Sequence, residues 1–275
     1  AADLPKEICQ ELGIHVIPLK VTFGHESYLD GVTLDSENFY RMLRENHVLP
    51  KTSQPVPADF YQLYSELQNN GVDHILSIHL SGRLSGTLQS AKLAARDIKG
   101  ISIEVIDSQS ASMGTGLLVM EAARRVLQGE DPEIIADYIR QAIARLRLFF
   151  VVDSLDYLAA NGRIGKASAF LGGMLHIKPV LTISDGVVTP VSKVWGIERA
   201  IDFLVASIQE YLQGSPAIGA IVHADAAESA AVLQEKIRHI CPDIQLMSQS
   251  LGPTIGSHAG PGTVGVVVLP LTEEM

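Results

Sequence analysis

His74-Ile75-Leu76-Ser77-Ile78-His79-Leu80, followed at once by Ser81-Gly82-Arg83-Leu84-Ser85-Gly86-Thr87 and then by Gln89, Ala91, Leu93 and Ala94, decides the fold class. A largely apolar run bounded by a Gly-rich turn reads as a buried strand, and the spacing beyond the turn predicts a helix. Strand, turn and helix in that order are half of a βαβ unit, which builds a parallel sheet. Outward from this stretch the pattern recurs. Ile101 to Asp107, Phe149 to Asp153, Ala217 to His223 and Val264 to Leu269 read as further buried strands. Ile134, Ile135, Tyr138, Ile139, Ala142, Ile143 and Leu146 form one apolar helical stripe that starts behind Pro132. Ala230, Leu233, Ile237 and Ile240 repeat it in a helix ended by Pro242, and a third helix is expected from Ile197 to Leu212.

One stretch departs from the parallel pattern. Lys178 to Ser184 and Val187 to Val194 are β-prone runs around Asp185-Gly186, the strongest short-range hairpin signal, so the second half contains antiparallel pairing. The first half shows only strand–helix alternation. The expected architecture is α/β in two domains, residues 1–148 and 149–275, the first parallel and three-layered, the second built on a mixed sheet.

The chain has 275 residues, enough for one large or two medium domains. Lys plus Arg number 21 and Asp plus Glu 31, a formal net charge of −10, which argues against nucleic-acid binding. A hydrophobic share of 47% is too high for a disordered chain. The longest apolar runs fall far short of the roughly 18 residues of a membrane-spanning helix. Cys9 and Cys241 stand alone, as in a reducing compartment, and a soluble cytoplasmic protein is expected. The nine histidines show no paired-ligand spacing, so neither metal nor cofactor is indicated.

Five segments carry groups suited to chemistry. Thr52-Ser53-Gln54-Pro55 is a hydroxyl-rich loop between helical patterns, suited to meeting a ligand and equally to starting the helix behind Pro57. Ser81 to Thr87, between strand and helix N-terminus, is a ready anion site, and Ser85 also reads as a helix cap. Its Ser falls one place late for the GxSxG nucleophile elbow. Asp107 to Gly116 is a second strand-end loop of small polar residues. Asn161-Gly162-Arg163 stops a helix and offers a guanidinium that suits a carboxylate or a phosphate, or simply solvent. Gly260-Pro261-Gly262-Thr263-Val264-Gly265 spells GxGxxG but precedes a strand, so the dinucleotide reading fails. It belongs to a flexible Gly-rich segment from Gly252 to Gly265 that places His258 against a ligand or leaves it on the surface.

Thr52-Ser53-Gln54-Pro55, Leu84-Ser85-Gly86-Thr87, Asp107-Ser108, Asn161-Gly162-Arg163-Ile164 and the run Gly252 to Gly262 appear in the order and spacing of the DegV family, and the resemblance covers essentially the whole chain. It implies a two-domain α/β protein with a fatty acid such as palmitate between the domains. In Firmicute bacteria, proteins of this kind carry acyl chains to a fatty-acid kinase. Carried over by motif, Thr52 and Ser85 are the carboxylate-binding hydroxyls, with His258 and Arg163 beside the headgroup and Ser53, Gly86 and Thr87 completing the cradle. The resemblance implies a carrier with no catalytic residues of its own, and it allows transient membrane contact. The chain departs from the family in two places. It starts at Ala1-Ala2-Asp3-Leu4-Pro5, without the short strand that usually comes before, and it has Trp195 after Lys193-Val194 where kinase-linked members have Arg. Ala167 to Leu175, with Phe170, Leu171 and Met174, is a candidate tunnel lining, although ordinary core packing explains it too. The alternative from another class is a serine hydrolase or acyltransferase using Ser85 and His258.

Overall fold

The computed structural model describes residues 1–45, 48–171 and 177–271. After helix α1 (Lys6–Glu11), strands β1 (Lys20–Phe23) and β2 (Glu26–Leu29) pair antiparallel across Gly24-His25. Gly24 sits at φ 58°, the left-handed setting that a two-residue hairpin opening on glycine requires. Helix α2 (Ser36–Glu45) follows, and β3 (Lys51–Ser53) returns to pair with the other edge of β1. The first half therefore contains a three-stranded antiparallel sheet, ordered β2-β1-β3, and is not strand–helix alternation alone. Thr52 and Ser53 lie in a strand, not a loop. Three polar residues carry no periodic apolar signal, and backbone pairing to β1 makes the strand.

Next come α3 (Pro57–Asn69), β4 (His74–His79), α4 (Thr87–Asp97), β5 (Ser102–Asp107), α5 (Met113–Leu127) and α6 (Pro132–Arg145). The parallel pair β4–β5 is covered on both faces. Ile75, Ile103 and Val105 pack with Phe60, Tyr64, Ala91 and Ala94 of α3 and α4. Leu76, Ile78 and Ile106 face Leu117, Ile135 and Ile139 of α5 and α6. Alternation along a strand assigns these faces. Helix α6 begins as its sequence predicts, with Pro132 in the first turn and the Asp131 carboxylate accepting from Glu133 N–H at 2.8 Å.

The remaining chain forms β6 (Arg147–Val151), α7 (Asp156–Ala160), β7 (Ile177–Ser184), β8 (Val187–Trp195), α8 (Gly196–Leu212), β9 (Ala217–His223), α9 (Ala227–Ile240), β10 (Ile244–Ser250), α10 (Pro253–Ala259) and β11 (Val264–Pro270). One six-stranded mixed sheet runs β10-β9-β11-β6-β7-β8, with only β9 and β10 parallel. Val151, Val180, Ile221, Val264 and Val266 pack under α8 and α9. Leu148, Phe150, Leu181, Val188 and Val222 point the other way, into the cluster shared with the first half. Burial on both faces is why β11 reads as an unbroken apolar run.

The Gly-rich segment from Gly252 is not a flexible loop. It folds into α10, with Pro253 in its first turn, and Gly260 and Gly262 at φ 75° and 80° turn the chain into β11. Gly256 is needed because α2 packs so closely that a Cβ would lie 2.6 Å from Tyr40 Oη and 2.7 Å from Phe39 Cε1. Tyr40 Oη also donates to Leu251 O at 3.0 Å, fixing the start of α10.

The hairpin β7–β8 turns at Asp185-Gly186 as predicted, both at positive φ (51° and 73°). Its tip reaches the loop after β4, where Ser81 Oγ donates to Gly186 O at 2.8 Å and Arg83 Nη1 to Asp185 O at 3.2 Å.

Candidate functional site

The apolar face of the six-stranded sheet does not close fully on the first half. Between them lies a pocket with about 910 Å³ of space not filled by atoms, its mouth to solvent included. Most of its walls are apolar, among them Leu80, Leu148, Phe150, Leu158 and Val222. Thr52, Gln54, Ser85, Arg163 and His258 are polar members of the same wall. Four elements far apart in sequence bring these groups together.

Strand β3 supplies Thr52. It sits opposite the fully buried Val21 and so faces inward, whereas Ser53, next along the strand, is exposed and outside the pocket wall. Thr52 Oγ1 and His258 Nε2 are hydrogen-bonded at 2.8 Å. The loop after β4 supplies Ser85, whose Oγ pairs with Thr87 Oγ1 at 2.9 Å and accepts from Thr87 N–H at 3.3 Å. Thr87 is thus a buried support for Ser85 rather than part of the wall. Gly86 lies under the Gln54 amide, with no room for a Cβ between them.

The turn after α7 supplies Arg163. Gly162 at φ 69° ends that helix, and Asn161 Nδ2 donates to Ser257 O at 2.9 Å, tying the turn to α10. Arg163 Nε donates to Leu84 O at 3.1 Å and Nη1 to Asn161 O at 2.7 Å, which orients the guanidinium next to Ser85. Arg163 is the one cation of the pocket wall among the described residues.

His258, on α10, is half-buried. Burial first and the Arg163 charge second push its imidazole down to about 4. It is neutral at neutral pH and shares a proton with the Thr52 hydroxyl without bringing a charge. Burial likewise pushes His79 down to about 4, where its Nε2 pairs with Ser77 Oγ at 2.7 Å. An unfolded histidine titrates near 6.5, so as pH falls the unfolded chain takes up these protons first. Stability is full above that value and is lost progressively as pH falls from about 6.5 through 4. The urea midpoint of the ligand-free protein should drop between pH 7 and 5, and His258→Gln should flatten that drop by removing one contributor, with His79 and His223, the latter also pushed down by burial, remaining. Superimposable pH profiles for the two proteins would show that His258 is not held neutral by the fold.

The hydrolase arrangement is not assembled. Ser85 bonds to Thr87, Thr52 occupies His258 Nε2, and His258 Nδ1 has no partner among the described residues. A triad needs the serine on one ring nitrogen and an orienting acid on the other. Among the described residues no three His, Cys, Asp or Glu side chains group as metal ligands, and no helix is long and apolar enough to cross a membrane.

Of the candidate lining from Ala167 to Leu175, Ala167, Phe170 and Leu171 are outside the pocket wall. Met174 and its neighbours at 172–176 lie outside the described residues. The lining that the sequence left unread comes from Leu148, Phe150 and Val222 on the sheet, whereas Gln54, Ser112 and Thr254 of the wall come from segments singled out above. Thr254 stands four residues before His258, a spacing that acquires meaning only because the segment folds into α10.

Residues 1–271 match the family model described as "Uncharacterised protein, DegV family". The chain belongs to the DegV family. Protein DegV of Bacillus subtilis is 33% identical over 267 residues, 96% of this DegV chain and 95% of that protein. A DegV domain-containing protein of Deinococcus radiodurans is 36% identical over 274 residues, 98% and 96% of the two chains. Among solved structures, a DegV family protein of Thermus thermophilus described for its fatty acid binding superposes with a TM-score of 0.93 at 33% identity, covering 98% of this chain and 96% of that one. B. subtilis DegV, described as a fatty acid binding protein, gives 0.91 at 32% identity with the same coverage. The mixed α/β architecture is that of the DegV structures.

Proposed function

We propose that this chain binds a long-chain fatty acid, palmitate being one example, with the hydrocarbon in the pocket and the carboxylate against Thr52 and Ser85. Residues 1–148 and 149–275 would be the two lobes on either side of the ligand. The observation that carries this reading is a single pocket whose walls are apolar and whose polar groups include Thr52, Ser85, Arg163 and His258. Solved relatives described as fatty acid binding support it.

Burial contributes roughly 0.8 kcal/mol per methylene, so a long chain gains affinity with length against the fixed cost of association. The carboxylate needs partners where it leaves water. Hydroxyl donors stabilise it without a fixed ion pair, which keeps an oxygen nucleophilic. Neutral His258 suits this role better than an imidazolium, and Arg163 offers charge at the rim.

The finer part of the proposal is that this oxygen attacks the γ-phosphorus of ATP on a fatty-acid kinase, forming an acyl phosphate as ADP leaves. The partner supplies the nucleotide, the metal and the transfer machinery, and this chain supplies the positioned acid. Arg163 then faces added negative charge. This places the carrier in the cytoplasm, with transient membrane contact during lipid exchange. Trp195, exposed at the end of β8 where kinase-linked members have Arg, is the position at which the partner contact would differ.

Native mass spectrometry of the purified protein, followed by denaturation and identification of what is released, tests the binding step. The expected result is one long-chain acid per chain. Release of no lipid, together with no mass shift after palmitate is added, would refute it.

A further inference from the structure

Two polar atoms of α10 are buried without a partner among the described residues, Thr254 Oγ1 and His258 Nδ1. Thr254 is 3% exposed and belongs to the pocket wall. Neighbouring hydroxyls are treated differently. Ser257 Oγ donates to Pro253 O at 2.7 Å, and Thr263 Oγ1 to Ala259 O at 2.9 Å, each turning back onto the carbonyl four residues earlier. Thr254 is the second residue of α10, so the carbonyl four residues before it belongs to Ser250, at the end of β10 and outside the helix. Its own N–H donates to Asp30 Oδ2 at 3.3 Å, which fixes the backbone and leaves the hydroxyl unmatched.

A buried hydroxyl without a partner is costly, and such a group in a ligand pocket points to an occupant that supplies the missing bond. Thr254 and His258 are four apart on one helix, so their side chains lie one above the other with Cβ atoms roughly 5–6 Å apart. His258 is bonded to Thr52, so the Thr254 hydroxyl stands about one helical turn from the polar group of the pocket. Thr52, His258 and Thr254 line the same pocket, so a carboxylate held at Thr52 would have Thr254 about one helical turn away along the wall.

We infer that Thr254 makes this pocket selective for a long-chain acid bearing an oxygen substituent a few carbons from its carboxyl end, a 3-hydroxy acid being the simplest case, over the unsubstituted chain. The inference rests on the fatty-acid reading above. A hydroxyl both donates and accepts, so it satisfies Thr254 whichever way that hydrogen turns. A methylene leaves Thr254 unmatched, and a site built to bond a substrate hydroxyl discriminates strongly against the analogue lacking it.

The test uses the full chain stripped of lipid, with hexadecanoic and 3-hydroxyhexadecanoic acids competing against a fluorescent fatty acid. Wild type, Thr254→Val and Thr254→Ser are compared. The wild type should prefer the hydroxy acid by about tenfold. Thr254→Val should abolish that preference and raise the melting temperature of the ligand-free protein, because it replaces an unmatched hydroxyl by a methyl of similar shape. Thr254→Ser should keep the preference. No preference in the wild type, or an equal preference in the Val variant, overturns the inference. Equal weakening of both acids by Val overturns it too, because the hydroxyl would then meet the carboxylate. So does a Val variant that fails to melt cooperatively, which would mean that the hydroxyl is part of the fold's own bonding. If neither acid displaces the probe from the wild type, the fatty-acid reading itself fails, an outcome distinct from the others.

Discussion

Gly260→Ala should cost the ligand-free protein about 2–6 kcal/mol of stability, because it meets a backbone penalty and a steric one at the same position. Gly260 ends α10 at φ 75°, ψ 164°, a region essentially restricted to glycine, where other residues cost about 1–3 kcal/mol. An added Cβ would also lie 2.8 Å from Tyr157 Cγ and 2.9 Å from Cε2, and overpacking of this kind costs about 1–3 kcal/mol more. Gly129 separates the two effects. It has φ 78° and nothing within 4 Å of where a Cβ would stand, so Gly129→Ala should cost only the backbone part, about 1–2 kcal/mol. Denaturant midpoints at constant m-value measure both. If Gly260→Ala loses no more than Gly129→Ala, the Tyr157 ring yields freely and the close packing of α7 on α10 contributes nothing.

The combined variant Thr52→Val, Ser85→Ala should bind palmitate roughly 10²- to 10³-fold more weakly, and its ligand-free unfolding midpoint should fall as well, because His258 Nε2 and the Thr87 N–H lose their hydroxyl partners. On the proposed reading each substitution would remove one charge-assisted hydrogen bond to a carboxylate held away from water, worth about 1.5–3 kcal/mol, and the two would share one headgroup, so their losses would not simply add. Ser85→Ala alone should cost about 1–3 kcal/mol of binding. Palmitate methyl ester supplies the control, because it fills the same apolar space without a charge to hold. Wild type and variant should bind the ester alike. If the variant loses as much affinity for the ester as for the acid, the two hydroxyls shape the pocket and do not grip the carboxylate.

Elements with a strong period were legible in the sequence, and those without one were not. Helix α6 and the β7–β8 hairpin follow from the Ile134 to Leu146 stripe and from Asp185-Gly186, because each carries its signal within a few residues. Strand β3 and helix α10 were not legible, for opposite reasons. Lys51–Ser53 is too short and polar to show burial, and its partner lies about 30 residues away. In Pro253–Ala259 the glycine that argues against a helix is required by the rings of Phe39 and Tyr40, which only the tertiary structure brings there. The site divides in the same way. Thr52, Ser85, Arg163 and His258 stand in distinctive motifs and converge on one pocket. Ser53 shares a motif with Thr52 but is separated from it by the alternation of a strand. The apolar wall could not be told from core in the sequence, because Phe150 and Val222 fill it with the same side chains that pack a sheet.

The contact between the hairpin tip and the loop that carries Ser85 is made to main-chain oxygens, those of Asp185 and Gly186. Such a latch does not depend on which side chains decorate the two strands behind it. Drift along β7 and β8 can restyle an outward surface while the span from the sheet to that loop keeps its length. Inserting or deleting one residue in the bend would move the anchor point, so with Ser81, Arg83 and Gly186 kept this bridge tolerates relettering of the strands and not a change of count.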